Sequence, residues 1–319
     1  MAKPQKIPKK QLERVHKLEL QLEKHVMAGD LKRAKLVLNS LKEILTKYNH
    51  NARIQQAYLK LYEGALETWD LDLAKRGLQF VREHSNRNTR NYLEATTLLA
   101  IAHLRQQDIF SAEPLISEVL RNDDVIKSEA RRTAFRREII ERFDEEGALS
   151  ALAACHPEIK NEAQIHKEAI KLLKEGNTED DLHEILGASI PQSVKDFLLK
   201  IDGLSKNLLT YDERLLLPSP KEIVKNKTTG SLIFKGLRRR LYKYVCDDNS
   251  EVYQAWLKGG LDAVLNKGYI TSAVLAALAD IRIGLGAVAV GASALLMKSG
   301  LNNFCAHNKP FSLLNLRKK

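Results

Sequence analysis

The chain has 319 residues, enough for about two domains, and its apolar fraction of 44 % can supply a substantial core. Its three cysteines, Cys155, Cys246 and Cys305, lie far apart with no CxxC pair, which argues against a secreted disulfide framework and a zinc knuckle and points to a reducing, cytoplasmic setting. A formal charge of +11 favours acidic partners (nucleic acid, anionic lipid or acidic protein) without choosing among them, and much of it, mixed with 40 acidic residues, reads as solvated helix surface.

Residues 1–10 hold two prolines and four lysines, so a mobile basic arm is expected, with no apolar run of the kind a secretory signal needs. From Gln11 onward Leu12, Val15, Leu18, Leu20, Leu22 and Val26 recur at helical spacing and predict a helix to Met27. Gly29 can close that helix in the left-handed conformation and Asp30 can cap the next, on which Leu31, Ala34, Val37, Leu38, Leu41, Ile44 and Leu45 share a face. The phrase D-[LI]-x-x-A returns at Asp70–Ala74 and Asp108–Ala112, with a weaker copy at Asp144–Ala148. The Asp residues are spaced by 40, 38 and 36, within the range of stacked helical units. Eight positions after each Asp stand Leu38, Leu78, Ile116 and Leu152, and eleven positions after it Leu41, Val81, Val119 and Cys155. These offsets fall on one helical face, with the small Ala allowing a partner helix to approach.

The small-residue turn, the Asp, the apolar residue after it, the Ala and the two later apolar positions resemble the second half of tetratricopeptide repeats over residues 11–155. That family repeats about every 34 residues and carries a Trp/Leu/Gly/Tyr pattern on its first helix, which this chain does not hold. The resemblance implies an all-α chain built as a right-handed stack of antiparallel helical hairpins, an α-solenoid. The groove of such a stack is lined by first helices, where Tyr62 and Arg105 are the candidate partner-binding residues. A fifth hairpin, Ala163–Leu173 with Asp180–Leu186, reads as a degenerate or capping unit.

Turn chemistry from Asp202-Gly203 to Gly230 reads as a connector and puts a boundary near residue 203. The expected organisation is an arm (1–10), a helical-repeat domain (11–202), the connector (203–230), a small helical carboxy-terminal domain (231–305) and an exposed basic tail (306–319). Phe234 to Tyr244 concentrates Lys235, Arg238, Arg239, Arg240 and Lys243 among apolar and aromatic residues. As a helix it offers an anion- or nucleic-acid-binding face, or an amphipathic helix with ordinary surface arginines. The run from Tyr269 to Leu301 is the most apolar of the chain. Two short helices, Ser272–Ala279 and Leu285–Lys298, form either the buried pair of a bundle or a segment (272–297) that inserts in a membrane, with peripheral or integral inner membrane as the alternative location.

No Gly-Lys-Ser/Thr phosphate loop, GxGxxG, GxSxG or HExxH occurs. Asp180, Asp181, His183 and Glu184 suit a helix start better than a metal set, Cys305 and His307 lack further ligands, and Cys155 beside His156 occupies a packing position. No catalytic residue, metal or cofactor is assigned. The sequence is read as a non-enzymatic adaptor or regulatory protein that binds a protein or peptide through its solenoid. The alternatives are nucleic-acid binding through 235–243 and a membrane-active effector inserting 272–297.

Overall fold

The computed structural model describes residues 3–155, 161–215, 217–248, 250–266, 268–309 and 312–317, with 261–266 described by backbone alone. Every regular element among them is a helix. The chain forms two compact units, Met1–Arg136 with Ser312–Lys319, and Arg137–Phe311.

The first unit holds α1 (Lys9–Met27), α2 (Leu31–Lys47), α3 (Asn51–Glu67), α4 (Leu71–Glu83), α5 (Arg90–Arg105), α6 (Ile109–Arg121) and the start of α7 (Glu129–Ala154). A short 3-10 turn, Leu313–Arg317, belongs to it as well. Consecutive helices from α1 to α6 pack together, and α3 touches both α1 and α5. Ala34, Ala74 and Ala112 are fully buried, as are Leu41, Leu78, Val81, Ile116 and Val119, so the repeated phrase does fix the interior.

The three Asp turns share one geometry. Gly29, Trp69 and Gln107 take positive φ of 71°, 61° and 59°. The following Asp N–H then reaches back to His25, Ala65 and His103 O at 2.9, 2.9 and 3.0 Å, which closes the preceding helix. Each Asp carboxylate accepts from the third residue of the next helix: Arg33 N at 3.0 Å, Leu73 N at 3.1 Å and Ser111 N at 3.0 Å. One residue thus ends one helix and starts another. The fourth copy corrects the reading, since Asp144 lies inside the continuous helix α7 and is buried. At the position before it Phe143 stays in helical backbone, where Gly29, Trp69 and Gln107 take positive φ. The expected arm is tied down: Gln5 N–H donates to Tyr48 O at 2.9 Å, its carbonyl meets His50 Nε2 at 2.8 Å, and Ile7 is buried.

The second unit holds the rest of α7, then α8 (Glu162–Lys174), α9 (Glu179–Ala188), α10 (Gln192–Lys206), α11 (Tyr211–Leu215), α12 (Pro220–Ile223) and α13 (Asn226–Cys246). After them come α14 (Glu251–Asn266), α15 (Tyr269–Asp280), α16 (Gly286–Ser299) and α17 (Leu301–His307). The units do not divide near residue 203: α10 runs on to Lys206, and α13 already begins at Asn226. Packing between α9 and α13 accounts for this, because their backbones meet at two glycines. A Cβ on Gly187 would lie 1.8 Å from Asn226 O, and one on Gly230 would lie 1.9 Å from His183 O. The apolar run is split into α15 and α16 with Arg282 at φ 59° between them, and α16 is buried from Val288 to Met297. Among the described residues no helix is long and apolar enough to cross a membrane.

One cysteine expectation is corrected: Cys246 and Cys305, 59 residues apart, form a disulfide, because α13 and α17 pack together and bring distant positions into reach. Cys155 remains a free thiol.

Two stability results follow from these contacts. Asp108, held down to about 2 by its bonds to Ser111, contributes stability that is present above its ordinary 3.8 and is lost as pH falls toward about 2. Asp108→Ala is expected to cost about 1 kcal/mol in urea denaturation at neutral pH, and the gap to the parent protein closes across that acid window. Gly230→Ala is expected to cost about 3 kcal/mol or more through backbone overlap. Gly203→Ala in α10, where a Cβ meets nothing within 4 Å, gains up to about 1 kcal/mol on the same measurement.

Candidate functional site

The α5 sequence is almost uniformly apolar or small from Tyr92 to Ala102, and the helix is buried on every face over that stretch. A helix of this kind needs cover all round. Glu94, near its start, is the acid of this helix and is fully buried, so it requires a cation. Arg90, one turn back, donates Nε–H to Oε1 at 2.9 Å.

The second cation comes from the far end of the chain. Arg317 donates Nε–H to both Glu94 oxygens at 2.9 Å, and its Nη2 donates to Oε2 and, at 2.6 Å, to Asn91 Oδ1. Asn91 is oriented for this, because its Nδ2 donates to Ala52 O and Gln55 Oε1, both at 3.1 Å, leaving the carbonyl oxygen for Arg317. On α3, Glu63 receives the start of the same segment: Leu313 N–H donates to Oε1 at 2.7 Å and the Ser312 hydroxyl donates to Oε2. Between these two anchors Leu313, Leu314 and Leu316 are buried. The expectation of an exposed tail is thereby corrected. Residues 312–317 form a bound segment, its leucines leaving water and its ends held by two carboxylates. Burial pushes the Glu94 carboxyl above its ordinary value, and Arg317 and then Arg90 pull it back.

Of the sequence candidates on this unit, Tyr62 stacks on Tyr58 with ring centroids 5.9 Å apart and lies over Gly77 of α4, where a Cβ would sit 2.1 Å from its ring. Arg105 is buried. It donates to Leu66 O, pairs with Glu67 at 3.3 Å and lies 4.9 Å from the Trp69 ring centroid, so it braces the α3–α4 turn. The polar contacts to the tail come instead from Glu63, Asn91 and Glu94. Two signals in the sequence point to them: a lone acid in an apolar helix, and an arginine closing a leucine run.

The basic segment on α13 also finds its anions inside the chain. Lys235 pairs with Glu141 and, at 3.8 Å, with Glu145; Arg239 pairs with Glu145 at 3.4 Å. Arg238 donates to Asn308 Oδ1 at 2.8 Å, and burial lowers its pKa against the pull of Glu145 and Glu179. Arg240 is buried, and Lys243 is exposed, 5.6 Å from the Tyr244 ring centroid. Nearby, Asp144 is held well above the ordinary carboxylate range by burial and by Asp202, which itself pairs with Lys206.

A cleft of about 860 Å³ in the second unit is lined by Glu184, Leu217, Pro218, Glu222, Asn226 and Lys227 among others. Thr178 and Asp181 exchange bonds as a capping box, Thr178 N to Asp181 Oδ2 at 2.8 Å and Asp181 N to Thr178 Oγ1 at 3.2 Å, which explains the acids before His183. Cys305 is spent in the disulfide, and His156 lies outside the described residues. Among the described residues no group of three or more His, Cys, Asp or Glu could hold a metal.

Comparison with models of known protein families, with curated proteins and with solved structures finds no match in any of the three.

Arg317→Ala is expected to cost about 3–5 kcal/mol in urea denaturation at pH 7, since it leaves a buried carboxylate with one cation. Adding Glu94→Gln recovers much of that loss, because an amide needs no guanidinium. The single-variant deficit shrinks in acid: Glu94 titrates above its ordinary 4.5 when folded, so stability gained by protonating it is present at low pH and lost as pH rises through the folded value.

Proposed function

We propose that the chain is a non-catalytic adaptor or regulatory protein whose first unit is a divergent tetratricopeptide-like stack of helical hairpins and binds a short segment of a protein partner. The face in question is formed by α3 and α5. Support comes from one observation above all: Glu63, Asn91 and Glu94 already hold a six-residue piece of polypeptide, Ser312–Arg317, wound in a 3-10 turn, by its backbone, its hydroxyl and its arginine. The regular Asp turns support the stack, because they set each first helix beside the next, as α3 beside α5.

Less supports the alternatives. For nucleic acid, Lys235 and Arg239 are paired with carboxylates of α7, leaving Lys243 as the exposed cation of the segment's five candidates. For membrane insertion, 272–297 is divided between two helices of 12 and 14 residues, shorter than the ~20 residues a span needs.

Peptides selected from a displayed random library against the full chain test the reading. Their affinity is expected to fall by about tenfold or more, roughly 1.4 kcal/mol, in Glu63→Gln and Glu94→Gln variants and to be unchanged in Lys243→Gln. Ligands indifferent to both glutamates would place the binding surface elsewhere.

A further inference from the structure

We propose that the α3–α5 face takes, from a partner protein, a segment with the chemistry of residues 312–317, a hydroxyl residue followed by leucines and closed by an arginine, and that the chain's own tail is the resident competitor for it. The inference rests on the reading of this face as a partner-binding surface and adds the ligand class and its control.

Three observations carry it. First, the receiving groups differ in kind along the face. Glu63 accepts a backbone N–H and a hydroxyl, which selects the start of a turn, whereas Glu94 and Asn91 together accept a guanidinium, which selects arginine at the other end. Lysine cannot reproduce that contact, because a point ammonium does not span two carboxylate oxygens and an amide as a planar fork does. Second, the leucines between are buried, so the middle of the ligand is read by apolar area. Third, the occupant is a short segment at the chain's far end, 223 residues from Glu94 in sequence, held by contacts that a free peptide of the same composition can repeat. A tethered ligand of this sort competes at an effective concentration of about millimolar order, so a partner must match its chemistry to displace it.

The test uses a fluorescent peptide of residues 309–319 and the full chain. Against the intact chain the peptide binds weakly, because the tail is in place. Two disarmed chains, Leu313→Asp and Arg317→Ala, are expected to bind it about tenfold more tightly or better. The Leu313→Asp chain keeps Arg317 and serves if the other folds poorly, which circular dichroism reports. A peptide carrying Arg317→Lys is expected to lose about tenfold on the disarmed chains. Equal binding to intact and disarmed chains, or none to a disarmed chain of native helix content, overturns the proposal. A library-selected peptide that depends on Glu63 and Glu94 is the reference: if it binds where the tail peptide does not, the ligand class fails and the surface stands, and if neither binds, both fail. An intact chain that is a dimer and becomes a monomer on Leu313→Asp would give the face to a second copy's tail and also overturn the proposal.

Discussion

A carboxylate withdrawn from water must be met by a cation or give up its charge. Each unit answers that demand separately. In the first, fully buried Glu94 is met by Arg90 on its own helix and by Arg317 from the tail. In the second, Glu141 and buried Glu145 of α7 draw Lys235 and Arg239 onto them, Arg142 pairs with Glu146 at 2.7 Å, and Asp144, beside Asp202, is pushed toward the neutral acid. Of the basic segment on α13, Lys235 and Arg239 are therefore engaged by carboxylates of the same chain.

The same demand shapes how the α3–α5 face holds residues 312–317. An apolar groove would accept many segments. Two carboxylates, one half-buried and one fully buried, restrict it to a segment with donors at both ends and apolar residues between. Asn91, fixed by Gln55 and Ala52, narrows it further by setting the plane in which the guanidinium must lie.

The helices of the first unit were legible because local chemistry writes them. Asp30, Asp70 and Asp108 each cap a helix, and the Ala four positions later is buried in each case. Asp144 imitates the phrase inside a continuous helix, and the residue type before it does not tell the two apart, since the aromatic Trp69 turns at the equivalent place before Asp70. Cys246 with Cys305 and Glu94 with Arg317 were illegible for another reason. Those partners are far apart in sequence, and only tertiary packing brings them together. Glu94 and Arg317 each stood out locally as a charge among apolar neighbours, yet nothing local matched one to the other.

The tail's place in the first unit also bears on how the chain is made. The whole second unit lies between Glu94 and Arg317 in sequence. At translation speeds of about 5–20 residues per second, the 223 residues between them separate the two by roughly ten to forty seconds. Through that interval α5 has emerged with an acid that has one of its two cations and with a side still uncovered. Until residues 312–317 have been made, the α3–α5 face of the nascent first unit lacks the segment that covers it.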